Sequence, residues 1–250
     1  MSGVRFELAG SVGRIVLDRA ESSNAFDVST AKAFGDAVAR AAESDADAVV
    51  VLGEGARFCA GGDVRSFSNA IDPAAHVREL ATVLGDHFRR LSELPVPVVA
   101  GVHGAVAGAG LALMLACDVV VAGASTKFVT AYAGVGLTPD CGLSYLLPRA
   151  VGSHRALDLA LSGRVLTAGE AESWGLVARV AADDQVADEA GRLATAMAAA
   201  PTYALAETKR LLRRAWEVDR RSSAVDEVDT IARAVTTDDA ARAISRFVGS

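Results

Sequence analysis

The chain has 250 residues, 51% of them hydrophobic and 22% charged, which is enough apolar material for one large α/β domain or one domain with a small appendage. Its 31 acidic and 25 basic side chains give a net charge of −6, so no general attraction to phosphate backbones or anionic membranes is available and nucleic acid is not an expected partner. Three cysteines (Cys59, Cys117, Cys141) are too few and too scattered for a disulfide framework and form no Cys-x-x-Cys pair, which points to a reducing compartment.

The opening MSGVRFELAG carries one Arg and no long apolar run behind it, so it reads as neither a secretory signal nor a transit peptide and a cytoplasmic location is expected. Alternating runs at Val4 to Leu8 and Arg14 to Leu17 flank a turn at Gly10 to Gly13 and predict a β-hairpin. After the loop RAESSNAF, apolar residues at helical spacing (Val28, Ala31, Phe34, Val38) predict a helix to about Ala42, capped by Asp27. Ala48 to Leu52 and Val98 to Val102 read as strands buried on both faces, separated by a helix from about Ala75 to Leu94 that Pro95 and Pro97 forbid to continue. Ala109 to Ala116 is small and apolar on every side and predicts a helix buried all round, followed by strands at Asp118 to Ala122 and Lys127 to Thr130. The stretch Val96 to Ala122 is too interrupted by Pro97, His103, glycines and Asp118 to cross a membrane. Beyond Pro148 helical patterns dominate: Ser153 to Ser162, Asp188 to Ala199, Thr202 to Ala215, Val225 to Ala234 and Asp238 to Phe247. The mixed charges of KRLLRRAWEVDRR read first as a solvated helical face.

Several chemistries drop out at once. No Gly-Lys-Ser/Thr follows a glycine-rich turn, GAVAGAG from Gly104 lacks the dinucleotide spacing, and the four histidines (76, 87, 103, 154) are dispersed, so no metal site is expected. Two glycine-rich segments remain, Gly53 to Phe67 and Gly101 to Asp118, each just after a buried strand. Glycine there allows close backbone approach to a ligand, or only tight packing of helix on strand. In the second, Gly108-Ala109-Gly110 opens an apolar helix whose first amides and positive dipole end would favour an anion or oxyanion.

Four segments in order, RAESSNAFD, FCAGGDV (Phe58 to Val64), GVHGAVAGAGLALMLACDVVVA (Gly101 to Ala122) and FVTAYAGVGLTPDCGLSYLLPRAVG (Phe128 to Gly152), resemble the enoyl-CoA hydratase/isomerase, or crotonase, family over nearly the whole chain. The resemblance implies an α/β fold built as a crotonase-like spiral of stacked ββα units. It divides the chain into an acyl-CoA-binding core at 1–195 and a helical C-terminal oligomerisation region at 196–250, in a homotrimer or homohexamer. The substrate it implies is an acyl-CoA thioester, handled without metal or other cofactor.

Carried over residue by residue, the two amides that polarise the thioester carbonyl are those of Gly62 and Ala109. Ala60 and Val64 line the CoA, with the loop from Ser22 to Ala25 beside its pantetheine or adenine portion. Asp63 lies next to them, where capping a short helix is the leading reading over direct catalysis. The two glutamates of typical hydratases fall on Ala112 and Tyr132, neither of which can activate water as a carboxylate, and Tyr132 is left as a substrate contact. One carboxylate, Asp140 in GLTPDCGL, matches the Pro-Asp-x-Gly segment of the ring-epoxide and enoyl isomerases of phenylacetate breakdown; otherwise it caps the helix beginning near Gly142. A single base suits a proton shuttle beside a polarised carbonyl, so double-bond isomerisation is the expected reaction. The alternatives are a hydratase-like lyase, hydrolysis or dehalogenation with Asp140 as nucleophile and His87 as base, and a non-catalytic acyl-CoA binder.

Overall fold

The alternating residues on either side of the Gly10 turn form β1 (Val4–Ala9) and β2 (Val12–Leu17), paired antiparallel with Val4 opposite Leu17 and Ala9 opposite Val12. This computed structural model describes residues 3–249; Met1, Ser2 and Ser250, at the outer ends of the two expected regions, lie outside the described residues. The chain continues through α1 (Val28–Glu43), where the Asp27 carboxylate accepts from the Thr30 N–H at 2.8 Å, to β3 (Ala48–Gly53). A short α2 (Val64–Ser68), capped by Asp63, precedes α3 (Pro73–Ser92), capped by Asp72 with Pro73 in its first turn. Then come β4 (Val98–Val102), β5 (Ala105–Ala107), α4 (Ala109–Ala116), β6 (Val119–Gly123) and β7 (Lys127–Val129). The remainder is α5 (Leu143–Val151), α6 (Ser153–Ser162), β8 (Leu166–Thr167), α7 (Ala168–Ser173), β9 (Arg179–Ala181), α8 (Val186–Ala198), α9 (Thr202–Arg214), α10 (Arg220–Ala234) and α11 (Asp238–Val248).

The larger sheet has six strands in the order β1-β2-β3-β4-β6-β9, parallel from β2 onward, and the smaller has three, β5-β7-β8. Because strand side chains alternate, β3 sends Val49 and Val51 to one face and Val50 and Leu52 to the other. The first face meets α1, α3 and α4; the second is covered by Ala190 and Ala194 of α8. Phe26, Phe34 and Phe88 close the join between the Asp27 loop, α1 and α3 as three edge-to-face pairs with centroids 5.8, 5.9 and 5.5 Å apart. Each such pair adds about 1 kcal/mol beyond its burial.

The C-terminal helices are tied to this core at Asp118, at the foot of β6. Its carboxylate meets Lys209 Nζ at 2.8 Å and Arg213 Nη2 at 2.7 Å, and accepts from the Val98 N–H at 2.8 Å. Arg210 in turn holds Asp226 of α10 through two bonds of 2.7 and 2.8 Å. The α/β class and the helical C-terminal region are as expected. Three short strands, β5, β8 and β9, join the strands expected from the sequence, and Pro148 falls inside α5, the helix expected to begin near Gly142, so the predominantly helical part begins before Pro148. That position is tolerable because a helix loses only one internal hydrogen bond to proline, and α5 ends three residues later at Val151, followed by Gly152 with φ +84°.

Candidate active site

The two glycine-rich segments are locked against each other by their backbones. Asn24, buried and with φ +55°, accepts from the Arg19 N–H and donates to the carbonyls of Glu54 and Arg57, each at 2.9 Å, which ties its loop to the end of β3. That loop then clamps the first glycine segment: Ala60 N–H donates to Ser23 at 3.0 Å, Phe26 N–H to Gly61 at 2.8 Å, and Asp63 N–H to Phe26 at 2.8 Å. In this parallel bridge the groups of Gly61 and Asp63 face Phe26, so the Gly62 N–H faces the opposite way. Gly108, at φ +53°, turns the second segment into α4 and leaves Ala109 with the first amide of that helix. The segments approach so closely that a Cβ on Gly61 would lie 2.9 Å from the Ala107 carbonyl and 3.3 Å from the Ala109 nitrogen. Among the described residues, neither the Gly62 nor the Ala109 N–H has an acceptor, and both border one cavity of about 770 Å³.

Ala60, Gly62, Val64, Ala109, Tyr132 and Asp140 all line that cavity. Ser22, Ala25 and Asp63 do not. Ser22 lies in a single 3-10 turn, the Ala25 carbonyl accepts from Arg19 Nη1 at 2.9 Å, and Asp63 pairs with Arg19 at 3.1 Å while capping α2. These three hold the clamp. Ala112 is fully buried in α4. The wall that the sequence reading missed is α3, which turns Leu80, Leu84 and Phe88 into the core and contributes Val77, Arg78 and Ala81 to the cavity. The signal was a second stripe of small and apolar residues at Ala74, Val77 and Ala81, one turn apart.

Asp140 leaves α5 without a side-chain cap; its backbone carbonyl, not its carboxylate, accepts from Leu143 N–H at 2.9 Å. The carboxylate instead receives the Tyr132 hydroxyl on Oδ1 at 2.6 Å. Burial, reinforced by the negative charge of Asp140, raises the Tyr132 phenol far above its ordinary range, so it stays protonated and donates. The same two causes, burial first, raise the neighbouring Cys141 thiol. Among the described residues lining the cavity, Asp140 is the only carboxylate and Arg78 the only cation. His87 is elsewhere. Its ring lies on Gly35 of α1, where a Cβ would come within 2.2 Å of it, and its Nδ1 is buried with no partner among the described residues. Burial and then Arg90 push its ionisation downward.

A site of this form can hold a carbonyl oxygen between two amides and set one carboxylate against the neighbouring carbon. Among the described residues, no group of three or more His, Cys, Asp or Glu could hold a metal ion, and no helix is long and apolar enough to cross a membrane. A sequence profile described as enoyl-CoA hydratase/isomerase matches residues 7–249. The 1,2-epoxyphenylacetyl-CoA isomerase of Escherichia coli is 36% identical over 206 residues, covering 80% of this chain and 78% of that protein. A Rhodobacter capsulatus protein named probable enoyl-CoA hydratase is 36% identical over 211 residues, covering 83% of this chain and 79% of its own. The crystal structure of an enoyl-CoA hydratase from Polaromonas sp. JS666 superposes with a TM-score of 0.93 at 31% identity, over 98% of this chain and 96% of that one.

Proposed function

The chain belongs to the enoyl-CoA hydratase/isomerase family of acyl-CoA enzymes, and we propose that its own reaction is double-bond isomerisation of an enoyl-CoA with Asp140 as the single base. The observation that carries this reading is that Asp140 is the one carboxylate among the described residues lining the cavity that also holds the free amides of Gly62 and Ala109. Hydration needs water held between two acid/base groups, and the positions that would supply them hold the buried Ala112 and the protonated Tyr132.

In the proposed step the thioester oxygen of a 3-enoyl-CoA accepts from the Gly62 and Ala109 N–H groups. Asp140 removes a proton from C2, and the electron pair moves into the carbonyl to give a dienolate. The charge gathers on the oxygen, where each fixed amide lowers the barrier by about 3 kcal/mol. The resulting carboxylic acid, whose proton exchanges with solvent, delivers a proton to C4, leaving a 2-enoyl-CoA and the carboxylate regenerated. One proton moves and no electrons are gained or lost. The apolar wall of Val77, Leu80, Ala81, Leu84 and Leu137 suits an aliphatic or aromatic acyl group. Dehalogenation through Asp140 lacks its proposed helper, since His87 lies against α1 outside the cavity lining. A homotrimer or homohexamer is part of the same proposal, supported by apolar side chains left exposed on the C-terminal helices and the turn between them, Leu212, Trp216, Val228 and Ile231 among them.

The test is Asp140→Asn, which keeps size and one acceptor while removing the base. Isomerase turnover on 3-enoyl-CoA substrates, and deuterium uptake at C2 and C4 in deuterium oxide, should fall by about two to four orders of magnitude with little change in binding. An unchanged rate removes Asp140 from the chemistry. Efficient hydration of crotonyl-CoA by the unmodified protein overturns the isomerase reading, and absence of exchange across a broad acyl panel makes the chain a binder.

A further inference from the structure

We propose that Tyr132 is a positioning residue that aims Asp140, a role that rests on the reading of Asp140 as the base. A carboxylate on a short side chain turns easily, because its terminal torsion has broad, shallow minima. An unheld Asp140 at the cavity edge would present either oxygen, in a range of directions, to the substrate carbon. The structure supplies a hold. Tyr132 follows Ala131, whose φ of +65° marks a sharp bend after β7, and it opens the one-turn 3-10 helix at Ala133–Val135. That bend brings its hydroxyl to 2.6 Å from Asp140 Oδ1, and both side chains border the same cavity. An O–H···O⁻ bond of this length belongs to the stronger, charge-assisted class.

The consequence is a division of labour between the two carboxylate oxygens. Oδ1 is occupied by the phenol, the Cys141 thiol is a second, weak hydrogen-bond neighbour of the carboxylate, and Oδ2 is assigned to take and return the substrate proton. The donor must be neutral and must keep its hydrogen. Burial and the adjacent carboxylate hold the Tyr132 phenol protonated at any working pH, and Cys141, the other titratable group beside Asp140, is kept as a neutral thiol by the same causes. No second negative charge therefore arises next to the base. A carboxylate at position 132 would repel Asp140, and a phenylalanine would fill the same volume without holding it.

The experiment is a double-mutant cycle on the full-length protein with a medium-chain 3-enoyl-CoA as substrate. Tyr132→Phe, with its melting temperature and acyl-CoA affinity measured alongside, should lose about ten- to hundredfold in kcat while KM moves less than about threefold. In the Asp140→Asn background the same substitution should cost nothing further, because the group it acts through has already gone. Site-specific 3-fluorotyrosine at position 132 should restore the rate, since it returns the donor to the same ring. An unchanged kcat in Tyr132→Phe, an equal loss in both backgrounds, or failure of the fluorotyrosine to rescue overturns the role of Tyr132. A full isomerase rate in Asp140→Asn alone overturns the base instead, so the two failures are distinguishable.

Discussion

Replacing Gly61 by alanine inserts one methyl group into a close contact between the two glycine-rich segments, beside the two free amides. The new Cβ would sit 2.9 Å from the Ala107 carbonyl oxygen and 3.3 Å from the Ala109 nitrogen, and the backbone there has φ +101°, where L-residues are strained. The conformational cost is about 1–3 kcal/mol and the overpacking cost about the same, together about 2–6 kcal/mol. For a chain of this size that lowers the melting temperature by roughly 4–24 °C. The neighbours that must yield are backbone, so the relief comes from spreading the segments by a few tenths of an ångström. This moves the Ala109 N–H away from the Gly62 N–H, and losing one such donor costs about 100- to 1,000-fold in turnover. Differential scanning fluorimetry and isomerase rates at 25 °C, where the variant is still folded, measure the two effects separately. Gly169→Ala is the control, since a Cβ there meets nothing within 4 Å and alanine inside α7 adds about 0.5–1 kcal/mol of stability. A Gly61→Ala protein within 1 °C and twofold of the parent would refute the argument that this contact sets the amide geometry.

Asp118→Ala strands Lys209, whose side chain is only 9% exposed, and should lower the melting temperature by roughly 6–12 °C, for a loss of about 3 kcal/mol. Adding Lys209→Met and Arg213→Met should recover most of it; a single-variant shift under 2 °C would show that the C-terminal helices are anchored elsewhere. Burial pushes the thiols of Cys59 and Cys117 up to about 12, so at pH 8 roughly one in ten thousand is ionised, and Cys141 is raised as well. Iodoacetamide should label none of the three within minutes in native protein and all three in denaturant; native labelling at the rate of a free thiol contradicts their burial.

The strands and helices that were legible in the sequence are those whose evidence is local. Ala48 to Leu52 and Val98 to Val102 announce themselves as short valine-rich apolar runs, and α1 by the spacing of Val28, Ala31, Phe34 and Val38 under a capping Asp27. β5, β8 and β9 have two or three residues each, too few for any periodicity, and they exist because β7 and β6 offer them pairing partners. Within the site, Ala60, Gly62, Val64 and Ala109 were legible because motif and physics agree there. Asp140 presented two readings, helix cap or pocket carboxylate, which only three-dimensional placement separates: its side chain does not cap α5 and it borders the cavity, bonded to the Tyr132 hydroxyl. Arg19 opens the quoted segment RAESSNAFD but was given no role, since its salt bridge to Asp63 across 44 residues leaves no mark on spacing; it also pairs with Asp27. The cavity face of α3 was hidden because Arg78 and Thr82 dilute its apolar stripe.

The amide of Gly62 is aimed by backbone bonds alone, from Phe26 to Gly61 and from Asp63 to Phe26. In the proposed mechanism carbonyl polarisation therefore rests on main-chain atoms, whereas proton handling rests on ordinary side chains of separate segments, Tyr132 and Asp140. On that mechanism a different reaction requires other side chains at those positions, while the two amides, and with them the hold on the thioester, stay as they are.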